Sequence, residues 1–363
     1  MKRALLLSGS LGAGHEMHAR ACVASLAERG WATDTVDAMA LLGQTGGSAG
    51  EAVFRAMLAT PGLYDAFHFA ALRPGSRLAL LADAAARRQL VPRLRDYLDA
   101  HPADLAISVF ATASSAVSVL ADRYPAMSHV VLCSDVTPHR LWVQPNVDLY
   151  LVTSQAAVAA VHRYQPTARI QLIPQPVRPG FYDPPLQDKA RADLGLPAGD
   201  HAVLIMSGAW GLGPLAQAAA GLADAGVQVL AVAGRNPKLE SRLRAAAASR
   251  PRLAVFGYTE QIPALMAAAD LVITSSGDTC AEARTVGRPL LLLDVVQGHG
   301  RDNLQHELEL GDAGVTSPRP DQVVRSALAA LERAKPPPPV PVRRPSWEEA
   351  FAAALDSIGL NVG

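Results

Sequence analysis

The chain has 363 residues, half of them apolar and 18% charged, with 33 basic side chains against 33 acidic ones. That length accommodates two ordinary domains, and the composition is that of a core-rich folded chain rather than a disordered one. The balanced charge excludes nucleic-acid binding by bulk electrostatics, and no window approaches the roughly 20 apolar residues that cross a bilayer as a helix.

The opening run, MKRALLLSGS, is too short in its apolar stretch for a secretory leader, because glycines and a histidine follow directly. Cys22, Cys133 and Cys280 show neither metal-ligand spacing nor an even count for disulfides, which fits a reducing cytoplasm. Short apolar runs alternate with longer helical patterns, the signature of a parallel sheet covered by helices. In the first half, strands are predicted at RALLLS, ATDTVDA, LAISVF, HVVLCSD, LYLVTS and IQLIP.

The first strand runs into SGSLGAGHEMHA, residues 8–19, where three glycines and His15 precede a helix. The spacing Gly9, Gly12, Gly14 is not the Gly-x-Gly-x-x-Gly of a dinucleotide site, so an NAD-dependent oxidoreductase is a weak reading. Between the second and third strands, about residues 48 to 100 read as a long helical region. Residues 51–98 hold apolar positions at helical spacing with Arg73, Arg77, Arg87, Arg88, Arg93 and Arg95, diluted by Asp65, Asp83 and Asp96 and by Asp99 just beyond. Such a surface either packs on the sheet as a helical pair or makes a peripheral contact with anionic lipid.

A proline-dense run, IPQPVRPGFYDPPLQDK, separates the halves as an extended linker. The predicted domains are residues 1–176, residues 177–334, and a Pro-rich spacer with a terminal helix over 335–363. Strands of the second half are predicted at HAVLIMSG, VQVLAVAG, LAVFGY, LVITSS and RPLLLLD. Three turns follow strands there. SGAWGLG, with Gly208, Gly211 and Gly213, leads into a helix with Pro214 in its first turn, where backbone N–H groups favour a phosphate.

TSSGDTCAEARTVGRPLLLLD carries Gly277, Thr279 and Glu282. Asp278 or Thr279 caps its helix in the structural reading. In the functional one, a diphosphate lies near Gly277 and Thr279 while Glu282 accepts bonds from ribose hydroxyls. VVQGHGRDNLQHELELGDAG brings His299, Arg301, Asp302 and Asn303 to a third turn. Turns at strand C-terminal ends lie where open α/β sheets bind ligands, so their convergence outweighs any one of them. Finally KPPPPVPVRRP, a stiff spacer, leads to SWEEAFAAALDSIGL, with Ser346 as N-cap and Glu349 completing a capping box.

The run GYTEQIPALMAAADLVITSSGDTCAEARTVGRPLLLLD with the later GHGRDN resembles the nucleotide-sugar half of a GT-B glycosyltransferase. Specifically, it resembles the monogalactosyldiacylglycerol synthase and processive diacylglycerol glucosyltransferase family, related to the GlcNAc transferase of peptidoglycan synthesis. CSDVTPHRLWVQPNVDLYLVTS resembles that family's Thr-Asp-x-x-x-His-x-x-Trp segment, matched at Ser134, Asp135, His139 and Trp142. GAGH and PVRPGF fit as well, and the resemblance runs in order over roughly residues 4 to 330.

The resemblance implies an α/β chain of the GT-B class, two Rossmann-like domains facing a cleft, with the C-terminal helix returning towards the N-terminal domain. It implies a UDP-sugar donor, no metal and no other cofactor, helix dipoles and N–H groups stabilising the departing UDP. Gly208, Gly211 and Gly213 would approach the diphosphate, Arg235 would lie beside the nucleotide, and the backbone from Phe256 to Tyr258 would hold the uracil. Gly277 and Thr279 would serve the phosphates and Glu282 the ribose, with His299 and Asn303 near the diphosphate or sugar.

On the acceptor side the resemblance implies an inverting transfer with His15 or Asp135 as base, and Gly14, His139 and Trp142 lining the acceptor. Trp142 reads equally as domain packing. The implied acceptor is a diacylglycerol-like lipid, and the implied location is cytoplasmic, at the cytoplasmic face of a membrane. A soluble hydroxylated acceptor and a sugar-nucleotide binder without transfer are the alternatives. Two departures stand out: SSGDTCAE is one residue shorter than the family pattern, and Gly298-His299-Gly300 replaces the sugar-reading Gly-Gln-Glu.

Overall fold

A computed structural model describes residues 1–9, 13–41, 77–133, 135–197, 199–207, 213–295, 299–333 and 346–360. In the first half the apolar runs form six parallel strands: β1 (Arg3–Ser8), β2 (Ala32–Asp37), β3 (Leu105–Ser108), β4 (Ser128–Cys133), β5 (Leu149–Val152) and β6 (Ile170–Leu172). Their order is β2-β1-β3-β4-β5-β6. Every residue of β3 and β5 is buried, as expected of central parallel strands covered on both faces.

The covering helices are α1 (Ala13–Glu28), α2 (Ala38–Leu41), α3 (Arg77–Ala100), α4 (Ala111–Leu120) and α5 (Gln155–Tyr164). Helix α3 runs through Pro92 and buries Leu90, Leu94 and Leu98 at four-residue spacing against Leu5, Leu7 and Ala106 of the sheet. Of the region read as helical, residues 48 to 76 lie outside the described residues.

The second half repeats the plan with β7 (Ala202–Ile205), β8 (Gln228–Val232), β9 (Leu253–Phe256), β10 (Leu271–Ser275), β11 (Leu290–Leu293) and β12 (Ala313–Thr316). The order β12-β11-β10-β7-β8-β9 becomes 6-5-4-1-2-3 when counted within this half, the doubly wound arrangement of dinucleotide-binding sheets. Around it lie α6 (Gln187–Asp193), α7 (Leu215–Asp224), α8 (Pro237–Ala247), α9 (Ile262–Ala268), α10 (Asp278–Val286), α11 (His299–Glu309) and α12 (Pro320–Arg333).

Two differences from the sequence reading have physical reasons. Strand β12 was not expected, because AGVT is an edge strand with Gly314 and Val315 exposed and therefore carries no apolar run. Helix α10 is capped by neither Asp278 nor Thr279. Gly277 occupies the N-cap in extended backbone with no side-chain bond, which places Asp278 inside the first turn.

The chain divides into two compact units, the first comprising Met1–Pro176, Gln297–His299 and Pro345–Gly363, the second Val177–Val296 and Gly300–Arg344. The terminal helix α13 (Trp347–Asp356) begins with the expected capping box between Ser346 and Glu349. Trp347 and Phe351 stack at 4.7 Å and are buried with Leu6, Leu26, Trp31 and Ile107 in the first unit's core. The Pro-rich spacer before this helix lies outside the described residues.

Candidate functional site

In the first unit the strand order reverses between β1 and β3, and this is where open α/β sheets leave room for a ligand. Gly9 follows β1, and a Cβ there would lie 2.7 Å from Cγ of Phe110, so the glycine lets that ring close over the backbone. Phe110 follows β3 and meets His15 edge-on, with ring centroids 5.3 Å apart. His15 and Gly14 lie in the first turn of α1, both half-buried.

Asp135 follows β4, next in the sheet. The segment after it turns back on itself through bonds from Trp142 N–H to the His139 carbonyl and from Val143 N–H to the Arg140 carbonyl. The Ser154 hydroxyl, which also caps α5, donates to the carbonyl of Val136 and ties the segment to the sheet. This folding carries the indole Nε1 of Trp142 to Oδ2 of Asp135 at 2.6 Å, with Nε2 of His139 3.8 Å from the same oxygen. Trp142 is only 2% exposed and packs among Val131, Cys133 and Tyr150, while its ring lies 6.2 Å from that of His15. Four of the residues singled out in the sequence, His15, Asp135, His139 and Trp142, thus form one cluster. A histidine beside a carboxylate-bearing segment is an arrangement suited to moving a proton near neutral pH.

The second unit reverses its strand order between β7 and β10. Ser207 and Ser275 join the ends of those strands by a hydroxyl bond of 3.1 Å. Gly208 and Gly211 lie outside the described residues. Gly213 has φ +95°, and a Cβ there would meet Cγ1 of Val295 at 3.1 Å, so both backbone and space require glycine. Thr279 and Glu282 are buried in α10. His299 opens α11 and Asn303, one turn later, is half-buried.

Glu282 is engaged by a residue the sequence reading did not single out. Arg178 donates from Nε and Nη2 to its Oε1 at 3.1 and 3.0 Å. The same guanidinium lies 3.7 Å from Glu260 and 4.9 Å over the ring of Phe181. Tyr258, 58% exposed, donates its hydroxyl to Glu260 at 2.9 Å, and Arg235 covers its ring at 4.7 Å. Arg235, Tyr258, Glu260, Arg178 and Glu282 therefore form one chain of polar and cation–π contacts along the unit. Burial pushes the Glu282 carboxyl up to about 7. Arg178 pulls it down by less than burial raises it, and Asp278, one turn earlier, adds to the rise.

Phe110 was also missed, because an apolar residue at a strand end looks like core. The sequence signals for Arg178 were a cation in the proline-dense run and the fit of PVRPGF to the family pattern, and neither pairs it with Glu282. Among the described residues, no group of three or more His, Cys, Asp or Glu side chains is arranged for a metal ion. Among them, too, no helix is long and apolar enough to cross a membrane. Of the arginines of α3 that the sequence set apart, Arg87 is half-buried and Arg88, Arg93 and Arg95 are exposed, with Arg93 bonded to the Leu41 carbonyl and Arg95 to Asp96.

Residues 76–166 match the family model for monogalactosyldiacylglycerol (MGDG) synthase, and residues 206–329 match that for the glycosyltransferase family 28 C-terminal domain. The probable monogalactosyldiacylglycerol synthase 2, chloroplastic, of Oryza sativa subsp. indica is 30% identical over 215 residues, 56% of this chain and 45% of that protein. The processive diacylglycerol beta-glucosyltransferase of Bacillus subtilis (strain 168) is 28% identical over 249 residues, 66% of this chain and 63% of that protein. The chain spans about half the length of the curated relatives it matches. Among solved structures, MurG of Acinetobacter baumannii superimposes with a TM-score of 0.61 at 14% identity, covering 99% of each chain. The two matched regions follow the order of the motif resemblance, and the fold is GT-B, built from two Rossmann-like units.

Proposed function

We propose that this chain, which carries an MGDG synthase region over residues 76–166 and a glycosyltransferase family 28 C-terminal domain over residues 206–329, is an inverting hexosyltransferase that moves a sugar from a UDP-sugar to a hydroxyl of a diacylglycerol-like lipid. The observation that carries the reading is positional. In the first unit His15 and Phe110 follow β1 and β3, where the sheet reverses order, and Asp135 follows the adjacent β4. In the second, Gly213, Thr279 and Glu282 follow β7 and β10, where that sheet reverses, with Arg235, Tyr258 and Asn303 after the C-terminal ends of β8, β9 and β11.

In this reading the second unit holds the donor. Glu282 takes the ribose hydroxyls once Arg178 yields to them, and the Arg235–Tyr258 pair flanks the nucleotide. The turn at Gly213 and the N–H groups around Gly277 and Thr279 receive the diphosphate, with His299 and Asn303 near the sugar. The first unit supplies the base. The acceptor oxygen bonds to the anomeric carbon as the bond from that carbon to UDP breaks. The acceptor proton passes to His15 or Asp135, and UDP leaves with the electron pair. Helix dipole and N–H donors stabilise that leaving group, so no metal is required. A lipid acceptor brings the enzyme to the cytoplasmic face of a membrane, where the exposed arginines of α3 offer an electrostatic contact.

The test is thermal shift with a panel of UDP-sugars, followed by UDP release with and without diacylglycerol vesicles. UDP or a UDP-sugar is expected to stabilise the protein, and release is expected to need the vesicles. No stabilisation by any of them refutes the donor assignment, and vesicle-independent transfer points to a soluble acceptor. Glu282→Ala is expected to weaken UDP binding about tenfold or more, as loss of a charged hydrogen-bonding group does. His15→Ala should leave UDP binding intact and lower turnover by about a hundredfold or more. Near-full turnover in that variant would remove His15 from the role of base.

A further inference from the structure

We propose that Trp142 is a positioning residue for Asp135: its buried indole fixes that carboxylate by the Nε1–Oδ2 bond while its ring forms part of the seat of His15. The proposal rests on the transferase reading above.

The geometry gives Trp142 two contacts at once. A buried indole N–H needs an acceptor, and here Asp135 Oδ2 supplies it at 2.6 Å. The dependence is mutual. Asp135 lies on an irregular segment beyond β4, a quarter exposed, whereas the indole is locked between Val131, Cys133, Val143 and Tyr150. The bond therefore lends the rigidity of the sheet to a loop carboxylate, which is how a reactive group is held to a fraction of an ångström. The oxygen that accepts the indole proton is also the one nearest His139 Nε2, at 3.8 Å, so it is already committed within its own segment.

The second contact is with His15. Its ring is edge-on to Phe110 at 5.3 Å and tilted by 43° to Trp142 at 6.2 Å. Phe110 is itself pressed against the bare backbone of Gly9. Two aromatic rings anchored in the core thus bound the imidazole, while the carboxylate is tied to one of them. A residue serving only as packing would need the ring but not the N–H.

The experiment removes the N–H and keeps the ring. Trp142→Phe, Asp135→Ala and the double variant are compared by kcat, by KM for donor and acceptor, and by thermal unfolding. Trp142→Phe is expected to lower kcat about tenfold to a hundredfold with both KM values held, the signature of misplaced groups rather than lost binding. In the Asp135→Ala background the same change should add no more than about twofold, because the two residues act as one unit. Unchanged kcat, independent multiplication of the two effects, or a raised acceptor KM at constant kcat would each overturn the proposal.

Where Trp142→Phe fails to fold, the bond is read directly in nitrogen-15 spectra of the full chain, which has four tryptophans. One indole N–H signal is expected to move strongly in Asp135→Ala while the other three stay, and four unmoved signals would overturn the bond. That readout needs no turnover, so loss of the transferase reading and loss of this proposal are told apart.

Discussion

Arg178 reaches Glu282 across 104 residues of chain and satisfies one of its oxygens with two N–H bonds, yet burial still holds the carboxyl at about 7. A carboxylate in that range changes charge within the working pH of most enzymes. In the proposed donor site only the ionised form offers both oxygens to a ribose diol, so binding should strengthen as pH rises through about 7. Uridine is the cleaner probe, since it lacks the diphosphate that titrates nearby. Its dissociation constant is expected to rise towards about tenfold per pH unit below 7, and the Glu282→Gln variant should show no such slope. The same shift has a stability sign. The folded value lies above the unfolded 4.5, so this group's contribution is full below about 4.5 and is lost as pH rises through about 7. The wild type minus Glu282→Gln difference in denaturation midpoint should therefore fall over that window. Parallel profiles would mean that Glu282 keeps its ordinary carboxylate behaviour.

His129 joins adjacent strands of the first sheet from within, and its chemistry follows from its partners. The Asn146 carbonyl, 3.3 Å from Nδ1, can only accept, so the proton sits on Nδ1 and the Ser108 hydroxyl donates to Nε2 at 3.0 Å. Burial pushes this imidazole down to about 4, so the folded element keeps it neutral. With the folded value depressed below 6.5, its stabilising contribution is present above about 6.5 and lost as pH falls towards about 4. His129→Leu is expected to cost about 2 kcal/mol at neutral pH by stranding a buried hydroxyl and carbonyl, and to flatten the profile below 6.5. Denaturant titrations of both proteins at several pH values test it, and an unflattened variant profile would refute it.

At this scale the limits of sequence reading are also physical. Strands β3, β5, β7 and β11 were legible because burial on both faces makes each a continuous apolar run. Strand β12 was not, since an edge strand of Ala, Gly, Val and Thr has no such run. In α3 the spacing of Leu90, Leu94 and Leu98 revealed an apolar stripe but not what covers it, which is the sheet. His15 was legible from the glycine-rich turn after the first strand, and Asp135 and His139 through the resemblance of their segment to the family pattern. What buries Trp142 and what Arg178 reaches were not, because both depend on chain brought in from elsewhere.

The molecule closes its first unit with its last helix, after the chain has built the whole of the second. Trp347, Phe351, Ala354 and Leu355 of α13 fill the same cluster as Leu6, Ile107 and Leu151 of the central strands. The second unit has buried clusters of its own, around Ile205 and Ile273 on one face of its sheet and Leu204 and Val272 on the other. Two consequences separate the units experimentally. Trp347→Ala removes a fully buried ring from the first core and should cost that unit about 3–5 kcal/mol. UDP, bound by the second unit in the proposed reading, should stabilise that unit by mass action alone. Hydrogen exchange followed strand by strand reads both, because local opening free energies report the core each amide belongs to. Amides of β3 and β5 are expected to lose protection in Trp347→Ala while those of β7 and β10 keep theirs. Added UDP should deepen protection at β10 and the start of α10 and leave the deficit at β3 and β5 in place. Equal loss across all four strands in Trp347→Ala would instead make the two cores one cooperative unit, with α13 supporting the nucleotide side as much as the side it packs on.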